Sequence, residues 1–440
     1  MPGIHNGIGT TFRSQAFGGG AAPVNPDFVF TVDTTQAGSA ADTIVLPLLS
    51  GGTYSGTIDW GDTSTSALSY ANRSHTYAAG GTYTITISGD TLQGWTFQNA
   101  GDKAKITEIS NWGLFEFTEI RTFQGCSNMD ITATDVPTIS TTNFTSNFYN
   151  CDGITTTQDW SGWDMSGVTN YTLCFAENSS FNGNLENWVH SGTTNVSKMF
   201  NNATSFNGIG LDTWDTSSVT TWTEFARGAT SFNSDVSGWV INGAMTSAFL
   251  GCSSFVGNGC STWDVSGMTS ASGLFSQCVL FSDNISGWDT SSCTNMTSML
   301  RNCDAFNRNI STWDINQVSA FANFMTDATG LETSLYDALL IAWDAQGAMS
   351  YTGTVNFGGS KYTAGAAAEA PRPAGGAAAP AAVGQGQEGQ APLGGGAMAR
   401  SSTIAAIASP RGPGARGVIR ISGPEARALA AGAAAACGEA

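Results

Sequence analysis

The chain is short of charge, of histidine and of long apolar runs. Lys, Arg, Asp and Glu make up 11% of its 440 residues, against about a quarter in an ordinary globular protein, which disfavours long solvated helices. Only 16 of these charges are basic and 34 are acidic, a formal net charge of −18. A surface of that sign repels phosphate backbones and anionic headgroups, so nucleic acid is excluded as a natural partner. No stretch of about 18 apolar residues occurs, so no segment is expected to insert in a membrane. The opening MPGIHNGIGTTFRSQAFGGG has no continuous apolar core, so no secretory signal peptide is read there. The histidines are His5, His75 and His190 alone, few parts for base-assisted nucleophilic catalysis.

What is abundant is Ser, Thr, Asn and Gly, the vocabulary of turns, strands and hydroxyl-rich surfaces. Through the middle of the chain Trp recurs at Trp163, Trp188, Trp214, Trp239, Trp263, Trp288 and Trp313, in steps of 24 to 26 residues. A second series runs through Phe123, Phe148, Phe175, Phe200, Phe225, Phe249, Phe275, Leu300 and Met325. A period of this length is too short for one unit to bury its own apolar face, so about nine coils are expected to stack on one another. Within a unit, the apolar residue three before the Trp (Leu185, Leu211, Val236, Ile285, Ile310) alternates into it as a short strand would. Asp-Thr-Ser or Asp-Val-Ser then bends the chain, and the spacing from Val219 to Phe225 or from Met296 to Leu300 predicts a short helical turn.

Cysteine tests this register. Cys126, Cys151, Cys252, Cys278 and Cys303 each fall three residues after the Phe-series position, and Cys174, Cys260 and Cys293 replace apolar residues elsewhere in the unit. They are expected to be buried free thiols packing as small hydrophobes. Disulfides are the rival, because coils about 4.7 to 4.9 Å apart bring Cys252, Cys278 and Cys303 toward bridging distance. No close Cys pair with His partners offers zinc ligands. Asn182, Asn207, Asn233 and Asn307 suggest an inward ladder. Asp264, Asp289 and Asp314 read as solvated turn-makers, with a bridging calcium as the alternative.

The pattern WDTSSVT…F…A.SFN.D.S.W, with the lead-in ITEISNWG and the closing VNFGGSKYT, resembles the BspA-type leucine-rich surface-protein repeats over roughly residues 100 to 360. That resemblance implies an adhesive or recognition protein of a cell surface or virion, and no catalytic residues. Upstream, Trp60, Gly61 and Asp62, followed by His75, Tyr77, Gly81 and Tyr83, resemble a PKD-type immunoglobulin-like module. His75 is expected to make a structural hydrogen bond. From Ala364 onward there is no Asn, Asp, Lys or aromatic residue. MARSSTIAAIASPRGPGARGVIRISGPEARALA, from Met398, is similar to the opening of the MnmE/TrmE tRNA-modification GTPases. With no GxxxxGK[ST] loop in the chain, no GTPase activity carries over. The change of composition reads as a junction of two unrelated genes or an artefactual frame, and AAAEAPRPAGG after Thr363 suggests an incomplete closing cap.

The expected fold class is therefore mainly β with short helical turns, a leucine-rich-repeat-like solenoid of about nine coils preceded by a small immunoglobulin-like β-sandwich. The expected organisation is a flexible arm over 1–26, a PKD-like sandwich over 27–95 and the solenoid with its caps over 96–363. A Gly/Ala/Pro-rich linker over 364–397 and the MnmE-like fragment over 398–440 follow. The expected function is non-enzymatic recognition or adhesion, on a phage virion first and as a bacterial surface adhesin second, with a glycan-cleaving virion enzyme the remaining alternative. Host surface glycan or protein is the expected partner, with the N-terminal arm as a virion attachment. Catalytic, cofactor and metal residues are none, and the binding residues are not legible.

Overall fold

Alternation sets the first sheet. Phe28, Phe30 and Val32 point to one side of β1 (Phe28–Asp33), and Ile85 and Ile87 of β6 (Thr82–Trp95) meet them on the same side. These strands belong to the computed structural model of the chain, which describes residues 27–155, 160–346 and 355–363. The expected arm (1–26), linker (364–397) and C-terminal fragment (398–440) lie outside the described residues. β3 (Leu48–Asp59), β4 (Thr65–Ala67), β7 (Ile106–Asn111) and β9 (Asp130–Ile131) complete a six-stranded sheet in the order β4-β3-β6-β1-β7-β9. All its pairs are antiparallel except β7 with β9. β2 (Thr43–Val45) and β5 (Ser74–Thr76) form a separate antiparallel pair. Where β3 crosses β6, Gly56 and Gly89 face each other at φ of +152° and +147°. A Cβ on either would stand 2.1 or 2.2 Å from a carbonyl oxygen of the opposite strand, so only glycine fits the crossing.

The sheet does not stop at residue 95. β7 adds to β1, and β9, which lies among the repeats, adds to β7. Hydrogen bonding is thus continuous from the N-terminal module into the first coil, and the buried side chains from Phe28 to Phe357 form one cluster.

The chain as a whole is mainly β with little helix, but beyond that point most residues lie in turns and the β pairing is short and parallel. β8 (Glu116–Phe117) pairs with β10 (Thr138–Ile139), and β11 (Val240–Ala244) pairs with β12 (Asp264–Ser270), both in parallel. Single parallel bridges join Asn143, Asn170, Asn195, Thr221 and Ala244 in succession, and then Ser270, Asn295 and Ala320. Coil-to-coil bonds follow the same pitch. The amides of Tyr171, Leu173, Phe175 and Glu177 donate to the carbonyls of Asn195, Ser197, Met199 and Asn201 at 2.7 to 3.0 Å.

Two local expectations are corrected. The apolar residue three before each Trp is not part of a strand; it opens a tight turn that the Trp closes, with Trp188, Trp214, Trp263, Trp288 and Trp313 donating their amides to Leu185, Leu211, Cys260, Ile285 and Ile310. The segment spaced like a helical turn is not helical either. Two residues before and two after the central core position, the backbone goes left-handed in every coil, at φ of +54° to +83°. The first rank runs Arg121, Ser146, Leu173, Lys198, Glu224, Ser247, Gly273, Ser298 and Asn323. The second runs Gly125, Asn150, Glu177, Asn202, Gly228, Gly251, Gln277, Asn302 and Asp327. A left-handed residue ends right-handed helix geometry, and here it turns alternate amides toward the next coil.

The bonds also shift the register once. Ala226, not Phe225, occupies the core column in its coil: the Ala226 amide donates to Ala248 and the Cys252 thiol donates to the Ala226 carbonyl. Phe225 takes the preceding position, which Met199, Leu274 and Met299 fill elsewhere, so the side-chain volumes exchange places and the core stays filled.

Helix α1 (Thr333–Ala345) and the 355–360 segment cover the last described coil, and the AAAEAPRPAGG stretch on which the expected incomplete cap rests lies outside the described residues. Helix α1 buries Tyr336, Leu339, Leu340 and Trp343. At its end the Gln346 side chain accepts from the Ile315 amide and donates to the Trp313 carbonyl. The Met325 amide donates to Asn356, and Ser360 Oγ accepts from the Leu331 amide at 2.8 Å.

Candidate functional site

The most regular side chains face inward. Trp214, Trp239, Trp263, Trp288 and Trp313 stack ring on ring at centroid distances of 5.7 to 6.1 Å with planes within 12°. Each indole from Trp188 to Trp313 donates to a main-chain carbonyl of the preceding coil, three residues before that coil's Trp, as Trp288 does to Cys260 at 2.8 Å. The eight cysteines among the described residues are all buried and free. Cys151, Cys252, Cys278 and Cys303 donate their thiols at 3.0 Å to the core-column carbonyl of the coil before. Burial pushes their thiols above the ordinary range, so they are packing groups rather than nucleophiles.

The surface is a different inventory. Thr142, Thr169, Thr194, Thr269, Thr294 and Ser319 rise in one rank along the coils, and the hydroxyls of Thr169, Thr194, Thr294 and Ser319 donate to the preceding coil's carbonyl at 3.1 to 3.3 Å. Asn182, Asn233 and Asn307 do bond the backbone of the following coil through Oδ1, accepting from Asn207, Val256 and Glu332. They stand at the rim rather than pointing inward, half-buried or exposed. Asp264, Asp289 and Asp314 each accept from the amide two residues on, at 2.9 to 3.0 Å. The hydrogen bonds from Ser266 and Ser291 hold the Asp264 and Asp289 carboxyls below the usual range. Among the described residues, no three or more His, Cys, Asp or Glu side chains gather as metal ligands.

His75 sits in a dense polar cluster of the N-terminal module. Its ring stacks on Trp60 at 4.8 Å, and Nε2 lies 2.8 Å from Asp62 Oδ2. Ser64 Oγ donates to Asp62 Oδ1, and Tyr77 donates to the Trp60 carbonyl at 2.9 Å. Hydrogen bonds from Ser64 and then His75 lower the Asp62 pKa to about 2. Base-assisted attack needs the imidazole between hydroxyl and carboxylate, one nitrogen for each. Here Ser64 and His75 Nε2 converge on the same carboxylate, so the cluster ties the loop of Asp62 to β5 and has no relay. His190 Nε2 reaches the carbonyls of Met165 and Val168, and its Nδ1 accepts from the Gly192 amide, again a structural set. His5 lies outside the described residues.

Sequence reasoning missed a buried cation. Lys105 is fully buried, and its Nζ donates to the carbonyls of Ser39, Ala40 and Thr43 and to Ser39 Oγ at 2.7 to 3.1 Å. Asp102, equally enclosed, accepts from the amides of Ser39 and Val45 and from Ser39 Oγ. Together they clip the loop between β1 and β3 to the turn that leads into the repeats. Nothing in GDKAK announces this, because its partners are main-chain groups some 60 residues away.

Three overlapping segments, residues 95–209, 142–246 and 243–357, match a family described as Mycoplasma protein of unknown function, DUF285. Together they span more than half of the chain. The chain belongs to this family. The DUF285 segments begin at β6 and end at the Phe357 cap, so they cover every coil described above and leave out most of the N-terminal module. No curated protein and no solved structure matches the chain.

Proposed function

We propose that this repeat protein is a non-enzymatic recognition or adhesion protein displayed on a virion or a cell surface, with host glycan or protein as its partner. The observation that carries this reading is the division of labour between inside and outside. The periodic Trp, Phe and Cys side chains are buried, while the coils present ranks of Thr, Ser, Asn and Asp to solvent. Hydroxyls and amides in regular array suit hydrogen bonding to polar surfaces, and the carboxylates are repeated turn-makers rather than a pair set apart for hydrolysis. On this reading the coils are a BspA-type solenoid of the leucine-rich kind, the N-terminal module is a PKD-like immunoglobulin-type spacer, and a phage structural or host-binding role comes first. The MnmE-like fragment contributes no activity.

The test is direct. Fluorescently labelled full-length chain is incubated with intact cells of the bacterium indicated by the neighbouring genes, and reducing ends are assayed in parallel on its envelope polysaccharide. Saturable binding without new reducing ends is expected. Absence of saturable binding overturns the proposal, as does sugar release that stops when a particular carboxylate pair is changed to amides.

A further inference from the structure

We propose that a pocket on the C-terminal coils, built by Gln277, Arg301, Asn302, Asp304 and Asp327, is a binding site for neutral sugar residues; this rests on the recognition reading above and gives it a ligand class and an address. The pocket is a concavity open to solvent of about 320 Å³, at the lower end of the range for small-molecule sites.

Its construction follows from the left-handed ranks. Gln277, Asn302 and Asp327 hold the same left-handed place in three successive coils, at φ of +64°, +57° and +64°. Their backbones are locked in parallel, with the Gln277 amide donating to Arg301 at 2.8 Å and the Asn302 amide to Thr326 at 2.9 Å. Equivalent side chains therefore leave the surface side by side at the inter-strand spacing of about 4.8 Å. The two preceding coils carry Gly228 and Gly251 at this place, so after that gap polar side chains resume at Gln277. Non-glycine residues occur elsewhere in both ranks, so the backbone alone selects nothing. What these coils offer is a concavity lined by polar and charged side chains.

Charge narrows the ligand. Arg301 stands 3.3 Å from Asp327 as an ion pair whose members are 46% and 50% exposed. Such a pair contributes little to folding. Asp304 commits Oδ1 to the amide and hydroxyl of Thr329. Two carboxylates in one pocket repel sulfated, phosphorylated or sialylated ligands, and a guanidinium among them disfavours a bare divalent cation. Apolar ligands find no apolar wall. Two amides, two carboxylates and a guanidinium supply both acceptors and donors for vicinal hydroxyls, the signature of an uncharged polyol.

The experiment uses full-length protein on an array of neutral oligosaccharides (gluco-, manno-, galacto- and N-acetylglucosamine series) beside sialylated and sulfated ones, with and without EDTA. Binding is then compared for R301A, D327A and R227A, a surface control three coils away at the position equivalent to Arg301. The expected result is EDTA-insensitive binding of a neutral oligosaccharide, at least about tenfold weaker in R301A and D327A, unchanged in R227A, with the same melting temperature in all. Neutral-sugar binding that R301A and D327A leave intact overturns the pocket while the recognition reading stands. So does binding confined to anionic sugars, binding that EDTA abolishes, or a silent array beside continued attachment to cells. Loss of cell attachment by the unaltered chain overturns both.

Discussion

Replacing Trp288 by Ala removes the fourth ring of the five-ring stack. Trp288 is 4% exposed and lies 5.7 Å from Trp263 and 6.1 Å from Trp313, centroid to centroid. Truncating a buried Trp to Ala costs about 3–5 kcal/mol in transfer and cavity terms. Here the Cys260 carbonyl, itself on a fully buried residue, also loses its indole donor, for about 1 kcal/mol more. The expected loss is about 4–6 kcal/mol for W288A and about 1–2 kcal/mol for W288F, which keeps most of the area and loses the hydrogen bond. Because each coil touches chiefly its neighbours, the damage should stay local. Denaturant titration gives the totals, and hydrogen exchange with mass spectrometry gives the place. Peptides around Trp263, Trp288 and Trp313 should lose protection while those from β1 and β6 keep theirs. A loss under about 1.5 kcal/mol for W288A, or equal loss of protection at Ile85 and Ile87, refutes the stacking argument.

Lys105→Met should cost about 3–5 kcal/mol by stranding the carbonyls of Ser39, Ala40 and Thr43; a thermal melt within a degree or two of the parent would show that the clip is dispensable. Iodoacetamide at pH 8 should label none of the eight described thiols in the native protein and all of them in guanidinium, because burial raises their pKa and closes access; rapid native labelling of Cys278 would contradict the packing. The Asp62 carboxyl titrates at about 2 when folded and near 3.8 when unfolded, so its stabilising share is complete above pH 3.8 and is lost as pH falls toward 2. D62N should therefore flatten the fall in melting temperature across that window, and an unchanged slope would count against the Ser64 and His75 bonds to Asp62.

The pitch of the coils was legible because Trp and Phe are large and rare enough to mark a period, and the cysteines were legible because each fell on a core position of that period. The left-handed ranks were not. Their residues are as unlike as Leu173, Lys198, Glu224 and Gly273, and what they share is a backbone angle imposed by bonds to the next coil. Gly125, Asn150, Asn202, Gly228, Gly251 and Asn302 in the second rank carried a faint signal, since Gly and Asn tolerate that angle best. The slip between Phe225 and Ala226 was hidden because a Phe one place early looks like a Phe in place. Helix α1 was readable: Tyr336, Leu339, Leu340 and Trp343 have the spacing of one helical face. The repeat period obscured it. Likewise the pocket draws its residues from three coils, one to four positions beyond the core column, where the core periodicity gives no signal.

The direction of the coil-to-coil bonds explains why the two ends of the array are built from unlike parts. In the segment flanked by the left-handed ranks, each coil's amides point to the following coil, as in Arg121 to Thr145, Phe175 to Met199 and Leu300 to Phe324. The first coil is thus left with carbonyls to satisfy, and the last with amides. A cap at the start must donate, and it does: the amides of Phe97 and Gln98 and the hydroxyl of Thr96 reach the carbonyls of Thr122, Arg121 and Ile120. A cap at the end must accept, as the Asn356 carbonyl does for Met325 and Ser360 Oγ does for Leu331. The N-terminal module and the 355–360 segment are therefore not interchangeable lids. Each is matched to one pole of a hydrogen-bonded column, and that polarity, invisible in a list of buried residues, ties a β-sheet module at one end and a helix-backed loop at the other to the same run of coils.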